Sequence, residues 1–332
     1  MAEPEASQHP LPAVVRSRSI ALRGEIGLLS ALVLSAACIA LCFGAWWFVT
    51  RGATAEERII SRTSLPSPGE TLESFPSLWF DRALTRNVLV TLKRVSLGFA
   101  LACAVGIPLG VLAGCFAWVR AFLAPLVIFG RNIPIAALVG LTFLFFGIGE
   151  SQKVMFIFFA CVAFVLADTT TSILDVGQEY VDTAYTLGAS RWQAIIKVLV
   201  PLSMPTVFNS LRLLFGLAFG YVMLAELVRM GNEAGGLGNI INVSMRQGPR
   251  EHVYLIVLII PLVALALDRV LYLVQRQLFP HRYGGAGFLN QGLREALAGW
   301  DALKGLVRKP RPPFDQLVTP PAPSSHTAPT QP

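Results

Sequence analysis

Six blocks of almost continuous apolar sequence are the feature that most limits what this chain can fold into. They lie at about 26–49, 89–116, 121–146, 152–167, 205–228 and 253–275. An α-helix needs about 20 apolar residues to cross the hydrocarbon core of a bilayer, so each block predicts a transmembrane helix. The fourth block is short by hydropathy alone, and we expect its helix to continue past Asp168. Only 14% of residues are charged, against roughly 25% in soluble domains, so the sequence predicts an all-α membrane protein with about six transmembrane helices.

The first apolar block follows three arginines within residues 16–23, a pattern that also occurs in signal peptides. Its apolar run is longer than the roughly 7–15 residues of a signal-peptide core, and no clear small-x-small cleavage site follows it. We therefore expect an uncleaved helix with a cytoplasmic N-terminus. Six spans then place both termini and the 168–204 loop inside, and the 50–88 and 229–252 loops outside. The positive-inside rule supports this orientation only weakly, because the 50–88 loop also carries five arginines.

The segment between the fourth and fifth blocks is polar and helix-prone, and it carries several helix boundary signals. Gly188 adopts positive φ at no side-chain cost, so it suits the end of a first short helix. Ser190 and Gln193 have the spacing of a capping box, which predicts the start of a second helix. We expect Pro201 to end that helix and Pro205 to open the next one. The pattern predicts a compact helix-turn-helix that presents a surface to a soluble partner.

This segment resembles the cytoplasmic coupling loop of importer-type ABC permeases. The family pattern is Glu-Ala-Ala, three residues, Gly, nine residues and Ile-x-Leu-Pro. Here the chain reads Asp-Thr-Ala from Asp182, three residues, Gly188, nine residues and Val-Leu-Val-Pro201. The glycine and the proline match at the family spacing, whereas Asp182 and Thr183 depart from Glu and Ala but keep the charge and the small size. The residues that the resemblance assigns to ATPase coupling are Asp182, Thr183, Ala184, Gly188, Ser190 and Pro201.

Further segments match one branch of these permeases in order along the chain. That branch serves nitrate, alkanesulfonate, taurine, bicarbonate and related small anions or zwitterions, and the resemblance covers roughly residues 60–280. The matching segments are Leu65-Pro-Ser-Pro68, Thr91–Gly114, Arg131-Asn-Ile-Pro134, Phe146-Gly-Ile-Gly-Glu150 and Gly236-Leu-Gly238.

Three glycines spaced four residues apart, Gly106, Gly110 and Gly114, lie in the second apolar block. Glycines at this spacing flatten one face of a helix, so another backbone can approach closely. We expect these residues to serve helix packing. Small residues at this spacing are common in membrane helices, so the pattern alone does not identify a function.

Arg131 is a charge about ten residues into the third apolar block, where an unpaired charge costs several kcal/mol. Asn132 and Pro134 follow it, and the proline removes a helix hydrogen bond. One interpretation is a locally broken helix that lines the translocation path, with Arg131 attracting an anion. The alternative is a structural role for Arg131, such as an ion pair with Glu226 or a hydrogen bond between helices.

Glu226 comes late in the fifth block, close to the predicted outer face, and it precedes a glycine-rich loop. It is either part of the path, as a gate or a contact for a docking receptor, or a solvated helix end. The sequence-predicted path residues are Arg131, Asn132, Pro134 and Glu226.

Several signatures of other protein classes are missing from the sequence. There is no Gly-x4-Gly-Lys-Ser/Thr phosphate loop, so the chain is not the ATPase by that route, and no His-Glu-x-x-His or Gly-x-Ser-x-Gly motif occurs. The five cysteines all lie in apolar blocks and are better explained as small buried residues than as metal ligands. The sequence has no basic stripe with interleaved aromatic residues, so it does not indicate nucleic-acid binding. We expect no catalytic site, metal or cofactor on this chain, with ATP and Mg²⁺ used by a partner ATPase.

The apolar blocks and the resemblance together divide the chain into five parts and imply its partners. We expect a bacterial inner (plasma) membrane protein that works with a cytoplasmic ABC ATPase dimer, a periplasmic solute-binding protein, a second permease copy in a homodimer, and the lipid bilayer. The parts are a cytoplasmic tail (1–25), an accessory transmembrane helix (26–49), a periplasmic loop with an interfacial helix (50–88), a five-helix permease core (89–280) with its coupling loop (178–201), and a cytoplasmic tail (281–332) that is partly amphipathic helix and then disordered.

The resemblance thus implies the permease subunit of an ATP-driven importer for a small anion or zwitterion. Another cargo, such as a pyrimidine precursor or an aromatic acid, stays open within the same transporter class. A passive channel would conduct without an ATPase, and it leaves the coupling loop unexplained. A membrane-embedded enzyme would need catalytic polar groups clustered in one span, and the sequence contains no such cluster.

Overall fold

The computed structural model describes residues 27–52, 58–61, 64–228, 235–247 and 249–283. Within these ranges the chain is helical and contains no strand, so the prediction of an all-α membrane protein is confirmed. The predicted tail 1–25 and almost all of the predicted tail 281–332 lie outside the described residues.

Thirteen α-helices and one π-helical turn form the described part of the chain. The α-helices are α1 (Leu28–Thr50), α2 (Pro68–Glu73), α3 (Phe75–Phe80), α4 (Leu84–Cys115), α5 (Ala117–Asn132), α6 (Ile135–Phe146), α7 (Glu150–Leu174), α8 (Gln178–Thr186), α9 (Arg191–Ala194), α10 (Val200–Leu227), α11 (Leu237–Gln247), α12 (Glu251–Leu278) and α13 (Pro280–Tyr283), and the π-helical turn is Ile195–Leu199.

The described helices reproduce the predicted set of membrane spans. Five of them are long and apolar enough to cross a membrane, counting the run from Arg191 to Leu227 as one helix. Helices α5 and α6 meet at a bend of 105° and make a sixth span if the pair is counted as one. Helix α7 continues to Leu174, beyond Asp168, as predicted from the sequence.

The expectation that Pro201 ends a helix and Pro205 opens the next one is wrong. Pro201 is the second residue of α10, and Pro205 lies inside that helix. A proline in a regular α-helix clashes with the carbonyl four residues earlier. Here the π-helical turn precedes Pro201, and the Val200 amide bonds to the carbonyl of Ile195, five residues back. This wider turn lets the helix continue past the proline without a break.

The chain divides into two compact units, and α4, α10 and α12 contribute residues to both. The first unit takes its described residues from Met1–Arg94 and Val222–Leu262. Ser67 begins α2 through a capping box with Glu70, and the two short helices α2 and α3 replace the single interfacial helix that the sequence predicts. The Trp46 indole donates to the carbonyl of Pro66 (3.0 Å), and Ser77 is hydrogen-bonded to His252 (2.7 Å). These bonds fasten the 58–80 region to α1 and to the start of α12.

The second unit takes its described residues from Val95–Tyr221 and Val263–Pro332. One face of α4 lies against α7, because Gly106, Gly110 and Gly114 carry no side chain. A Cβ atom at Gly110 would lie 2.6 Å from Cβ of Thr169, and one at Gly114 would lie 2.5 Å from Cβ of Ile173. Real Cβ atoms do not approach so closely, so the glycines set the distance between the two backbones.

Candidate functional site

The turn between α8 and α9 is closed by local hydrogen bonds that the sequence pattern predicts. Gly188 has φ +79°, which confirms the expected left-handed conformation. Its amide donates to the carbonyl of Tyr185 (2.9 Å), and the amide of Ala189 donates to that of Ala184 (3.0 Å). This pair of bonds satisfies the last carbonyls of α8 in the manner of a Schellman motif. The connection between the two helices is therefore a defined turn.

Ser190 begins α9 with the predicted capping box. Its hydroxyl accepts the amide of Gln193 (3.4 Å), and its own amide donates to the Gln193 side chain (2.8 Å). Two donors that a helix start leaves unsatisfied are thereby paired. The positions of both short helices follow from residues within the segment itself.

The segment exposes large apolar side chains although it is otherwise polar. Leu187 is 83% exposed and Trp192 is 59% exposed, and Tyr185 is also exposed. We define the coupling segment as Gln178–Leu199. It carries exposed apolar side chains on both of its short helices and on the turn between them.

The six sequence-predicted coupling residues have different surroundings. Asp182 is exposed and accepts from Gln178 (3.0 Å), and the exposed Thr183 donates to the carbonyl of Glu179 (2.7 Å). Ala184 is buried near the C-terminal end of α8. Gly188 and Ser190 are exposed in the turn, whereas Pro201 lies in α10 beyond the coupling segment.

Glu226 is buried in a polar network of the first unit. Its carboxylate accepts from the Arg94 guanidinium (2.7 Å), from the Thr91 hydroxyl (2.9 Å) and from the amide of Gly238 (3.0 Å). The interpretation of Glu226 as a solvated helix end is therefore wrong. The suggested ion pair between Glu226 and Arg131 is also wrong, because Arg94 provides the cation.

The same network holds the start of α11. The amide of Gly236 donates to Oδ1 of Asn87 (2.7 Å), and the amide of Leu237 donates to the Thr91 hydroxyl (2.9 Å). Arg94 also donates to the carbonyl of Gly235 (2.9 Å). The first amides of a helix have no partner within it, so these side chains satisfy groups that would otherwise be buried without bonds.

Glycine is required where this network meets the chain before α11. Gly235 and Gly236 have φ of +125° and +102°. A Cβ atom at Gly238 would lie 2.6 Å from Cβ of Glu226. The Gly236-Leu-Gly238 pattern thus allows the backbone to pass directly over the buried carboxylate.

Asn87, Thr91 and Arg94 were not predicted from the sequence as site residues, although Thr91 and Arg94 lie in a segment that matches the permease branch. A readable sign was present, because these polar residues recur at i, i+4 and i+7 in an apolar helix. Residues at that spacing share one helix face. The residues that they bind are distant in the sequence, since Glu226 lies 132 residues after Arg94. No local sequence pattern indicates this contact.

Arg131 lies at the bend between α5 and α6. Its guanidinium lies 5.0 Å from the ring centroid of Phe164, and Asp168 is within range of its charge. The Asn132 side chain donates to the carbonyl of Ile128 (2.7 Å), and Pro134 caps α6. The predicted local break in the third span is therefore present, while a role in translocation stays a prediction.

Comparison with known proteins agrees with these observations. Residues 106–280 match the family described as binding-protein-dependent transport system inner membrane component. The chain is 29% identical to the taurine transport system permease protein TauC of Escherichia coli over 75% of this chain and 90% of that one. It is 31% identical to the bicarbonate transport system permease protein CmpB of Synechococcus elongatus over 59% and 70% of the two chains.

The fold also resembles that of a solved transporter. An inward-facing structure of the MetNI methionine ABC transporter aligns with a TM-score of 0.54 at 20% identity, covering 60% of this chain and 97% of the other. At that identity the likeness bears on the fold alone. The chain belongs to the family of binding-protein-dependent transport system inner membrane components, as an ABC importer permease of the nitrate, sulfonate and taurine branch.

Proposed function

We propose that this chain forms the translocation path of an ATP-driven importer for a small anionic or zwitterionic solute. A periplasmic binding protein delivers the solute, and two cytoplasmic ABC ATPase subunits supply the energy. The cargo class is supported by relatives named for taurine, bicarbonate and aliphatic sulfonates. Two copies of the chain line the path, as the family resemblance implies.

The coupling segment is the observation that carries this proposal. Its turn is fixed by the positive φ of Gly188 and by the Ser190 cap, and it exposes Leu187 and Trp192. A short, defined helix pair with apolar side chains fits a groove on a soluble partner. Because α10 follows the segment through one π-helical turn without a break, a displacement of the docked pair passes into a 28-residue helix. Rigid-body motion of this kind underlies alternating access.

The proposed orientation places the coupling segment in the cytoplasm and the α10–α11 connection on the periplasmic side. Helix α10 begins directly after the coupling segment, and Glu226 is its second-last residue. Its length exceeds the thickness of the hydrocarbon core. Both termini are then cytoplasmic. Helix α1 is accessory to the core at 89–280, and the exposure of nearly all its side chains supports this assignment.

Chemical cross-linking tests the docking and the orientation together. In a permease without its native cysteines, Leu187→Cys is labelled with a maleimide that carries a benzophenone, and membranes that contain the whole transporter are irradiated, so that the photoactivated group inserts into a C–H bond of the neighbouring chain. Met245→Cys, an exposed apolar position on α11, is the matched control. We expect Leu187→Cys to cross-link to the ATPase and Met245→Cys not to do so. Cross-linking from Met245→Cys alone would overturn both the docking site and the orientation.

A further inference from the structure

The first unit contains a polar cavity at the junction of α3, α4 and α11. Its volume is about 260 Å³, and its polar lining comprises Asp81, Arg82, Arg86, Asn87 and Asn239. The larger cavity of the same unit, about 450 Å³, is instead walled by apolar side chains such as Trp46 and Leu65. The polar cavity thus differs in chemistry from the apolar surface expected beside lipid.

Asn87 lines the cavity and joins three backbone groups beside it. Its Nδ2 donates to the carbonyls of Arg82 (2.9 Å) and Ala83 (3.1 Å), and its Oδ1 accepts the amide of Gly236 (2.7 Å). Ala83 has φ +48°, a left-handed conformation that residues other than glycine rarely adopt. Backbone strain of this kind persists where the surroundings enforce it, and it concentrates at binding sites.

The buried Arg94–Glu226 pair holds the backbone at the start of α11, on the α11 side of the cavity. Arg94 holds the carbonyl of Gly235, which lines the cavity, and Glu226 holds the amide of Gly238 at the start of α11. Hydrogen bonds thus hold two stretches of backbone that border the cavity, Arg82–Ala83 and Gly235–Gly236. A site formed in advance lowers the ordering cost of binding.

The polar lining of the cavity carries both signs of charge. Among the residues that the structure describes, neither Arg82 nor Arg86 forms an ion pair with a carboxylate. Guanidinium groups bind the oxygens of sulfonates and carboxylates through parallel N–H donors. Asp81 offers a carboxylate at the same cavity, which suits an ammonium group.

We propose that this cavity is a receiving subsite for a small zwitterion with an acidic and an amino group, such as an amino sulfonate. Arg82 and Arg86 hold the acidic group, and Asp81 holds the amino group. The inference rests on the proposed function, because its cargo class and orientation place the cavity on the side where the binding protein releases solute. The alternative occupant, an acidic side chain of the binding protein itself, is an outcome of the test.

Calorimetric titration of the intact transporter, with the binding protein left out, tests the subsite. The probes are taurine, ethanesulfonate, which lacks the amine, and ethylamine, which lacks the acid. We expect saturable taurine binding in the millimolar range, weakened about tenfold or more in Arg86→Gln because one charge-assisted contact is lost. Arg246→Gln is the matched control, since Arg246 is exposed on α11 and does not line the cavity.

The carboxylate provides a second, sharper arm. Asp81→Asn is expected to weaken taurine binding while leaving ethanesulfonate binding unchanged, because only taurine carries the ammonium group. Equal melting temperatures for the variants and the parent transporter show that the fold is retained. Absence of saturable binding to the parent protein, or equal affinity in Arg86→Gln, would overturn the proposal. So would loss of binding-protein association in Arg86→Gln with solute affinity unchanged, which would make the cavity a protein contact.

Uptake by the complete importer separates this inference from the proposed function. If the parent importer accumulates taurine or a related anion but the receptor-free complex binds none, the subsite alone is wrong. If the importer moves none of these solutes although it hydrolyses ATP, the proposed cargo class is wrong, and the subsite proposal that depends on it is wrong as well.

Discussion

The guanidinium of Arg94 lies 2.7 Å from the carboxylate of Glu226, and the two side chains are only 2% and 0% exposed. Thr91 and the amide of Gly238 complete the hydrogen bonding of that carboxylate. The pair joins the first half of α4 to the last residues of α10 and to the start of α11. An intact buried pair of this kind has little net effect on the free energy of unfolding. Removal of one partner leaves the other charge buried and unpaired, which destabilises the fold.

Removing either partner of this pair should destabilise the protein strongly. Arg94→Met or Glu226→Leu alone is expected to cost about 3–5 kcal/mol, because each change leaves the partner's charge buried and unpaired. The double variant Arg94→Met/Glu226→Leu should recover part of the loss, with a coupling energy of about 0.5–3 kcal/mol. Thermal unfolding in detergent measures all of these. Additive effects of the two single changes would contradict the pairing.

A matched ion pair serves as the control for that experiment. Arg212 and Asp268 also lie 2.7 Å apart, but their side chains are 16% and 39% exposed. Asp268→Ala should therefore cost much less than Arg94→Met, because solvent stabilises the charge that remains. Equal losses in the two pairs would show that burial is not the cause.

The conformation of Gly188 makes a separate prediction about the coupling segment. No atom lies within 4 Å of a Cβ placed there, so only the backbone opposes a side chain. Gly188→Val should be strained by about 1–2 kcal/mol and lose ATPase association, whereas Gly188→Asn should retain it because Asn tolerates this conformation. Co-purification of the ATPase from membranes measures the difference. Wild-type recovery of the ATPase by the valine variant would exclude this role.

The contact between α4 and α7 predicts different outcomes for two chemically identical changes. Gly110→Ala places a Cβ atom 2.6 Å from Cβ of Thr169, whereas Gly216→Ala meets no atom within 4 Å. The first should lower the free energy of unfolding by about 1–3 kcal/mol through overpacking, and the second should leave it nearly unchanged. Melting temperatures of the two purified variants decide this. A similar effect of both would contradict close packing at Gly110.

Arg131 is predicted to act on transport rather than on stability. The structure pairs Glu226 with Arg94, and Arg131 is exposed beside the Phe164 ring at the bend. Arg131→Ala should lower uptake while the assembled complex is retained, and Arg131→Lys should restore it only partly, since Lys lacks the planar set of donors. Uptake per assembled complex is the quantity to measure. Normal uptake in Arg131→Ala would remove this residue from the path.

The parts of the molecule that follow from neighbouring residues could be predicted from the sequence. The helical spans follow from apolar block length, and the Gly188 turn and the Ser190 cap depend on residues no more than five apart. Such signals are complete within one turn of helix.

Features that depend on distant residues or on small shifts in helix geometry could not be predicted. Arg94 and Glu226 are 132 residues apart, so their pairing is invisible to local patterns. Pro201 looks like a helix end because a regular α-helix excludes it. The π-helical turn that accommodates Pro201 adds one residue to a single helical turn. No residue type in the sequence indicates such a turn.

ATP-driven uptake in proteoliposomes tests the central claim most directly. The permease is reconstituted with its ATPase and binding protein, and accumulation of labelled taurine, ethanesulfonate and bicarbonate is followed with and without ATP. We predict concentrative uptake of at least one of these solutes that requires ATP and the binding protein and is abolished by Gly188→Val but not by Gly188→Asn. Equilibration of solute at the same rate without ATP or the ATPase would show a passive channel and contradict the account.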